Sequence, residues 1–416
     1  MKILCIPYTH TLSHISRPLA VGIELRKRGH DVIFAGESPK KNFIERECFP
    51  VLPLHEPDPD ELFDNIRSGK LRFVREEEIE LMIEADLALY RDVRPDIVLT
   101  DGRFTAPIST HIAGLKHAAI VNVSSTEYRA LPYIPFFGWV PEFIAGSGSY
   151  WKGVLNTLNL KLEMLTFNNS MNTFSKLSKK YKISKTVTAT NCLTGKDITL
   201  LADIPEYFPT KNLPEDYHYI GPLTWKQSNV STPPWWPPKK INNPLVYITM
   251  GTTGISNFFT LVYDLFKSSD FSAIITTGGQ ISGIKSIEGK IFVEDYIDGD
   301  LAMEVSDLVI CHGGNGTIYQ ALSHGKPVIG VPTIPDQAFN MRRVETLGVG
   351  KTLTWKELLI NPQSLLKMST EIIRNISFHQ NSAKLQNLIA SYRPAEQAAD
   401  IIEGVKFQED AGGLNV

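Results

Sequence analysis

Residues 308–340 read LVICHGGNGTIYQALSHGKPVIGVPTIPDQAFN, and the changes of character along this stretch decide the architecture. Leu308-Val309-Ile310-Cys311 is a short apolar run of the kind that a strand buried on both faces shows. His312-Gly313-Gly314-Asn315-Gly316-Thr317 follows, and Ile318-Tyr319-Gln320-Ala321-Leu322 then has helical spacing. A strand stops, the backbone turns on three glycines, and a helix begins. Glycine has no Cβ, so free N–H groups can approach a bulky anion. The helix aims its unpaired N–H groups and its positive dipole end at the same point. The stretch reads as a phosphate cradle, with His312 and Thr317 as further donors.

An ordinary strand–turn–helix would explain the glycines alone, but the continuation adds chemistry. Lys326-Pro327-Val328-Ile329-Gly330-Val331-Pro332 is a second buried strand closed by proline. Asp336, Gln337 and Asn340 then place polar groups in a loop at a strand's carboxyl end, the edge where doubly wound sheets bind ligands. One loop can hold a diphosphate while its neighbour offers a carboxylate and an amide to sugar hydroxyls.

Upstream, residues 1–125 alternate strand and helix. Ile3 to Pro7 is a strand, Pro18 to Arg28 a helix ended by Gly29, and Asp31 to Ala35 a second strand. Such a unit forces a parallel sheet with a right-handed crossover. No GxGxxG follows the first strand, so a dinucleotide site is not expected in this half. His14 lies in the loop leaving the first strand, and Asp101 ends a later one, Pro95 to Asp101. Both belong at the carboxyl edge of one sheet. An imidazole held in the right tautomer by a carboxylate can take a proton from an alcohol; a loop histidine and a helix cap are the plainer alternatives.

Residues 126–190 break the alternation. Tyr133, Phe136, Phe137 and Trp139 stand in a segment dense in aromatics and prolines. Trp151 to Lys182 reads as helix, with Leu155, Leu158, Leu162 and Leu165 spaced for one apolar face. Apolar insertions over a cleft form acceptor pockets. Core packing is the simpler use for most of these side chains. Thr232 to Pro238 is an extended, stiff linker. Leu245 to Met250 opens a second α/β half. The expected division is 1–225 for the first domain, 226–243 for the linker, 244–390 for the second domain, and 391–416 for a terminal helix and tail on the first.

The 416 residues, 43% hydrophobic and 21% charged, suit a globular protein of two or three domains. With 42 basic and 45 acidic residues and a net charge of −3, nothing marks a nucleic-acid partner. Four dispersed cysteines (Cys5, Cys48, Cys192 and Cys311) show no metal spacing and fit a reducing cytoplasm. No run of ~18 apolar residues suggests a membrane span. A cytoplasmic monomer or homodimer is expected.

The segment from His312 through Gln337 resembles the donor-binding signature of family 1 glycosyltransferases of the GT-B fold, which include antibiotic, macrolide and plant natural-product enzymes. The resemblance implies two facing Rossmann-like, doubly wound parallel-sheet domains, with a C-terminal helix, Glu396 to Glu403, crossing back to the first. It implies that His312, Gly314, Asn315, Gly316 and Thr317 contact the donor diphosphate, joined by Gly251 and Thr252. Asp336 and Gln337 would grip the hexose. Asp295-Tyr296-Ile297 falls at the family's base-reading segment, so Tyr296 would stack on the base and Ile297 would read its edge. The family's Pro-Gln is missing after it. Thr11 to Pro18 falls at the family's Gly-His-x-x-Pro, which matches His14 to the catalytic histidine and Asp101 to its partner. Here Ser13 replaces the glycine and Arg17 takes the proline's place, and His10, four residues away, is the alternative base.

The implied activity is inverting transfer of a hexose from a nucleoside-diphosphate sugar, UDP-glucose or a dTDP counterpart, to a hydroxyl of a small, largely apolar natural product. Tyr133, Phe136, Phe137 and Trp139 would face that acceptor. No cofactor and no metal are expected, because His312 and a helix N-terminus neutralise the phosphates. Asp298-Gly299-Asp300 then reads as a solvated turn. Two rivals share the fold, a sugar-nucleotide 2-epimerase and a non-catalytic auxiliary subunit.

Overall fold

The computed structural model describes residues 1–133, 149–225, 232–239, 243–251 and 256–404. The first half carries β1 (Lys2–Pro7), β2 (Asp31–Ala35), β3 (Val51–Leu52), β4 (Ile97–Asp101), β5 (Lys116–Val121), β6 (Ile198–Leu201) and β7 (Tyr217–Tyr219). They form one sheet in the order β3-β2-β1-β4-β5-β6-β7, parallel throughout. The second half carries β8 (Leu245–Thr249), β9 (Ser272–Thr276), β10 (Ile291–Glu294), β11 (Leu308–Cys311), β12 (Val328–Gly330) and β13 (Gly350–Thr352), in the order β10-β9-β8-β11-β12-β13. These too are parallel. The central strands β4, β8 and β11 are buried at every residue. That is why their sequences are runs of aliphatics with no alternation.

In each sheet the strand order reverses once, between β1 and β4 and between β8 and β11. Chains leaving the two strands at such a point diverge to opposite faces and open a crevice at the carboxyl edge. Pro7 pairs with Asp101 across the first reversal. Tyr247 and Ile248 pair with Val309 and Ile310 across the second. Both candidate sites therefore sit where the topology makes room for them.

The halves share a core. Tyr207 and Phe208 from the first half are buried with Tyr319, Phe339 and Met341 from the second. The Phe208 and Phe339 rings stack at 5.2 Å, and the Tyr133 and Phe339 rings at 4.7 Å. The Tyr207 hydroxyl donates to the Asn340 carbonyl at 3.2 Å, and Arg343 Nε donates to the Tyr207 carbonyl at 2.6 Å. At the chain's end the helix Pro394–Glu403 buries Ala398, Ala399 and Ile402 in the cluster that holds Ile15 and Leu19. Arg28 binds Asp400 and Glu403 at 2.6 and 2.8 Å, and His30 meets Glu403 at 2.7 Å. The chain thus adopts two doubly wound parallel-sheet halves, with the last helix returned to the first.

Several local expectations are corrected. The first helix is Leu12–Lys27, so His14 stands in its first turn and Pro18 lies inside it. Pro18 is the seventh residue, past the first turn, so it supplies no N–H toward the carbonyl of His14 and interrupts the helical ladder there. The long helical stretch is two helices, Ser149–Ser170 and Thr173–Lys180. Its leucine spacing points outward, with Leu158, Leu162 and Leu165 exposed. Asn159 and Leu160 are buried instead, and Glu163 turns in to accept from Arg129 Nη2 at 2.5 Å and from the Tyr133 N–H at 3.1 Å. That inward polar pairing selects the face. The proline-rich linker is docked: Trp235 packs 4.8 Å from Phe292, and its Nε1–H donates to Glu294 at 2.6 Å. Among the described residues no helix is long and apolar enough to cross a membrane.

Candidate active site

The helix after β1 carries His14 to the end of β4. His14 Nδ1 lies 2.5 Å from Asp101 Oδ1. Asp101 is paired with Arg17, whose Nε donates to Oδ2 at 2.7 Å and whose Nη2 donates to Oδ1 at 2.6 Å. A carboxylate only accepts, so Nδ1 must carry the hydrogen and Nε2 keeps its lone pair. Asp101 is almost fully buried, whereas about a third of the His14 side chain reaches solvent. The structure pairs Asp101 with His14 and not with His10, whose ring packs 5.3 Å from Tyr8.

Across the cleft, His312 follows β11 and is buried. Burial pushes its imidazole down to about 4, so it is neutral near pH 7, and Nδ1 has no protein partner among the described residues. Two glycines make its seat. A Cβ on Gly251 (φ +59°) would come 2.7 Å from His312 Cε1, and one on Gly314 would come 2.5 Å from Nε2. The loops after β8 and β11 therefore meet around one ring. The helix Asn315–Ser323 begins beside it with Gly314 as its N-cap and no side-chain cap. Its first N–H groups are left for another acceptor. Gly316 is exposed, and space is open above it. Thr317 is half-buried one residue further on.

Asp336 and Gln337 lie in the first turn of the helix Pro335–Thr346, with Asn340 one turn on, and not in a loop. Pro335, fixed near the helical φ, starts that helix at once. The Asp336 carboxylate accepts from the Tyr133 hydroxyl at 3.0 Å and from Asn340 Nδ2 at 3.4 Å. Burial raises its pKa, while Tyr133, Asn340 and the charges of His14 and Arg17 oppose the rise. Asp336 is thus within electrostatic reach of the pair on the opposite half. Gln337 is turned to its own loop, its Oε1 accepting from the Thr333 N–H at 2.8 Å and hydroxyl at 3.0 Å. Asn340 Nδ2 also holds the turn at the Gly313 carbonyl, 3.0 Å away.

Tyr296 is 60% exposed with its hydroxyl on the Gly278 carbonyl at 3.0 Å, and Ile297 packs against the shared core. Thr252, Phe136, Phe137 and Trp139 lie outside the described residues. Asp298 is a helix cap and not a solvated turn, accepting from the Asp300 N–H at 2.9 Å. Asp300 accepts from Gln320 at 3.0 Å and meets His324 at 3.1 Å.

The sequence reading passed over Asn122 and Asp203, and it saw Arg17 only as a departure. Asn122 follows β5 and Asp203 lies just beyond β6, so both are polar residues just past buried strands. That position at the carboxyl edge was the available signal. Asn315 was assigned to the donor, yet its Nδ2 donates to Asp203 Oδ1 at 2.9 Å across the cleft.

Residues 245–403 match the C-terminal domain of glycosyltransferase family 28. Over 387 residues the chain is 30% identical to a PGL/p-HBAD biosynthesis glycosyltransferase of Mycobacterium tuberculosis strain H37Ra, covering 92% of this chain and 87% of that one. A PGL/p-HBAD biosynthesis rhamnosyltransferase of Mycobacterium bovis BCG is also 30% identical, over 386 residues covering 92% and 83%. The solved glycotransferase of kitacinnamycin superposes with a TM-score of 0.72 at 17% identity, over 97% of this chain and 98% of that one. On its fold and on these relatives, the chain belongs to the family 1-like glycosyltransferases of the GT-B fold.

Proposed function

We propose that this glycosyltransferase moves a hexose, glucose or a deoxyhexose, from a UDP- or dTDP-linked donor to a hydroxyl of a largely apolar natural product, with inversion. The observation that carries this reading is geometric: Asp336, on the donor side, accepts from the Tyr133 hydroxyl of the other half at 3.0 Å, and Asn315 of the cradle donates to Asp203 of that half at 2.9 Å. A base and a sugar-side carboxylate thus share one space. A rhamnosyltransferase among the relatives supports a deoxyhexose as readily as glucose. The aromatic run at 133–139 supports an apolar acceptor.

In the proposed step, His14 Nε2 takes the acceptor's hydroxyl proton as that oxygen attacks the anomeric carbon. The new C–O bond forms as the bond to the β-phosphate oxygen breaks, and the electron pair leaves with the nucleoside diphosphate. Asp101 stabilises the imidazolium. Charge growing on the leaving phosphate meets the N–H groups of Gly314 to Thr317, His312 and the Gly251 loop. Asp336 accepts from a sugar hydroxyl in place of Tyr133. One in-line displacement inverts the configuration.

The test is turnover of UDP-glucose and dTDP-rhamnose with a panel of phenols and aliphatic alcohols. Products are read by mass spectrometry and by the anomeric coupling constant. Inverted glycosides are expected, at full rate in excess EDTA. Retention of configuration, or an epimerised sugar nucleotide formed without acceptor, would overturn the reading. Activity lost to EDTA and restored by magnesium would reinstate Asp298 and Asp300 as metal ligands.

A further inference from the structure

We propose that Arg17, Asn122 and Asp203 are positioning residues, forming a hydrogen-bonded chain that makes the orientation of His14 depend on the docking of the donor-loop helix. The inference rests on the reading of His14 as the base. Starting from the donor side, Asn315 Nδ2 donates to Asp203 Oδ1 at 2.9 Å. Asp203 Oδ2 accepts from the Val123 N–H at 2.6 Å and from Asn122 Nδ2 at 3.2 Å. Asn122 Oδ1 accepts from Arg17 Nη1 at 2.6 Å. Arg17 grips both oxygens of Asp101, and Asp101 Oδ1 accepts from His14. No link exceeds 3.2 Å, and the chain runs from the helix above the phosphate cradle to the candidate base.

The chemistry of each link fixes its direction. Asn122 has one acceptor and one donor end, and Arg17 and Asp203 take one each, so its amide cannot turn without losing both. Arg17 has its Nε and both Nη groups engaged, and a guanidinium fork cannot rotate off one partner without leaving the others. Asp203 and Asp101 are both buried, so an unmade bond at either leaves a desolvated charge. Burial raises Asp203 to about 6, which its four donors oppose; one is the Tyr319 hydroxyl, from the same helix as Asn315. When the second half withdraws, Asp203 loses the two donors of that helix. Its remaining bonds to Asn122 and Val123 then rearrange, and Arg17 and Asp101 follow. A base aligned only when the donor helix is seated would spare the donor from attack by water in an open cleft.

The test reads His14 in the intact protein without ligands. The water-exchange rate of its Nδ1 proton is measured by NMR in wild type, Asn315→Ala, Arg17→Lys and the double variant, beside each melting temperature. Asn315→Ala lies far from the ring, yet exchange is expected to quicken roughly tenfold, an ordinary coupling within one network. In the Arg17→Lys background the same change should add little, because the chain is already cut. Asp203→Asn, which sets a donor against a donor, is expected to match Asn315→Ala. If it does not fold, the other variants decide the matter. Exchange unmoved by Asn315→Ala, or rate effects that multiply, would overturn the chain. Glycosyl transfer measured on His14→Ala separates the two readings. An inactive His14→Ala with an unmoved exchange rate overturns the chain alone. An active His14→Ala overturns the base, and with it the purpose of the chain.

Discussion

At the level of single residues, the cleft is a set of polar atoms whose environments pull in opposite directions. His312 and His117 are buried, which pushes them down to about 4 and about 3. Asp203 is pushed up to about 6. The histidines leave the unfolded chain with more protons below its ordinary value of about 6.5, so each takes away stability as pH falls from there towards its folded value. Asp203 acts in the opposite sense, adding stability as pH falls through 6 towards its ordinary 3.8. Each titrating group contributes about 1.4 kcal/mol per pH unit, so two losses against one gain leave a net fall between pH 6.5 and 4. Melting scans should show it, and His312→Gln should flatten it; an unchanged slope would mean that His312 is not held neutral. For the donor, Asp336→Ala should weaken a nucleotide sugar by about 1–3 kcal/mol, the range for an unpaired buried partner, and leave the free nucleoside diphosphate alone. Equal weakening of both in calorimetry would make Asp336 a structural residue. Asp101 and His312 stand at the ends of aliphatic runs, whereas His14 is singled out through the family motif. Asn122 and Asp203 were equally placed, but Asn122 meets Arg17 from 105 residues away and Asp203 meets Asn315 from 112, and pairing at that distance leaves no local pattern. Gln337 illustrates the converse: the motif assigned it to the hexose, and only the geometry shows its oxygen accepting from Thr333.

Among the elements, strands were legible and helix faces were not. Strands covered on both sides carry apolar residues on both faces, so the unalternating apolar runs of β4, β8 and β11 declare themselves. A helix face is chosen by what it packs on, and Ser149–Ser170 turns Asn159 and Glu163 inward because Arg129 and the Tyr133 N–H await Glu163 there. No spacing rule on one helix can foresee that. The returning helix Pro394–Glu403 gives a quantitative expectation. Ile402 is fully buried in the first half's core, so Ile402→Ala should cost about 2–5 kcal/mol. Arg28→Ala removes only partly exposed, solvent-screened ion pairs and should cost clearly less. Chemical denaturation that ranked Arg28→Ala above Ile402→Ala would show that charge, and not burial, holds the helix. The His30 hydrogen bond depresses the pKa of Glu403. Its contribution is present above the ordinary carboxylate value and is lost as pH falls through the depressed one.

For the whole molecule, two sheets each open a crevice at their own strand reversal, and the shared core around Tyr207, Phe208 and Phe339 sets those crevices face to face. Neither half holds a complete site. The first has the proposed base with no donor loop, and the second the proposed cradle with no base. This division is the reason why the fold class could be read from two short motifs, while the contacts between halves could not. The most direct test is the rate of sugar transfer by His14→Ala, set beside calorimetric binding of the nucleoside diphosphate to the same protein. A positioned base accounts for about 10²–10⁴-fold, so the account predicts that loss in kcat with nucleotide affinity unchanged. His14→Ala retaining its rate, with His10→Ala inactive in its place, would contradict it.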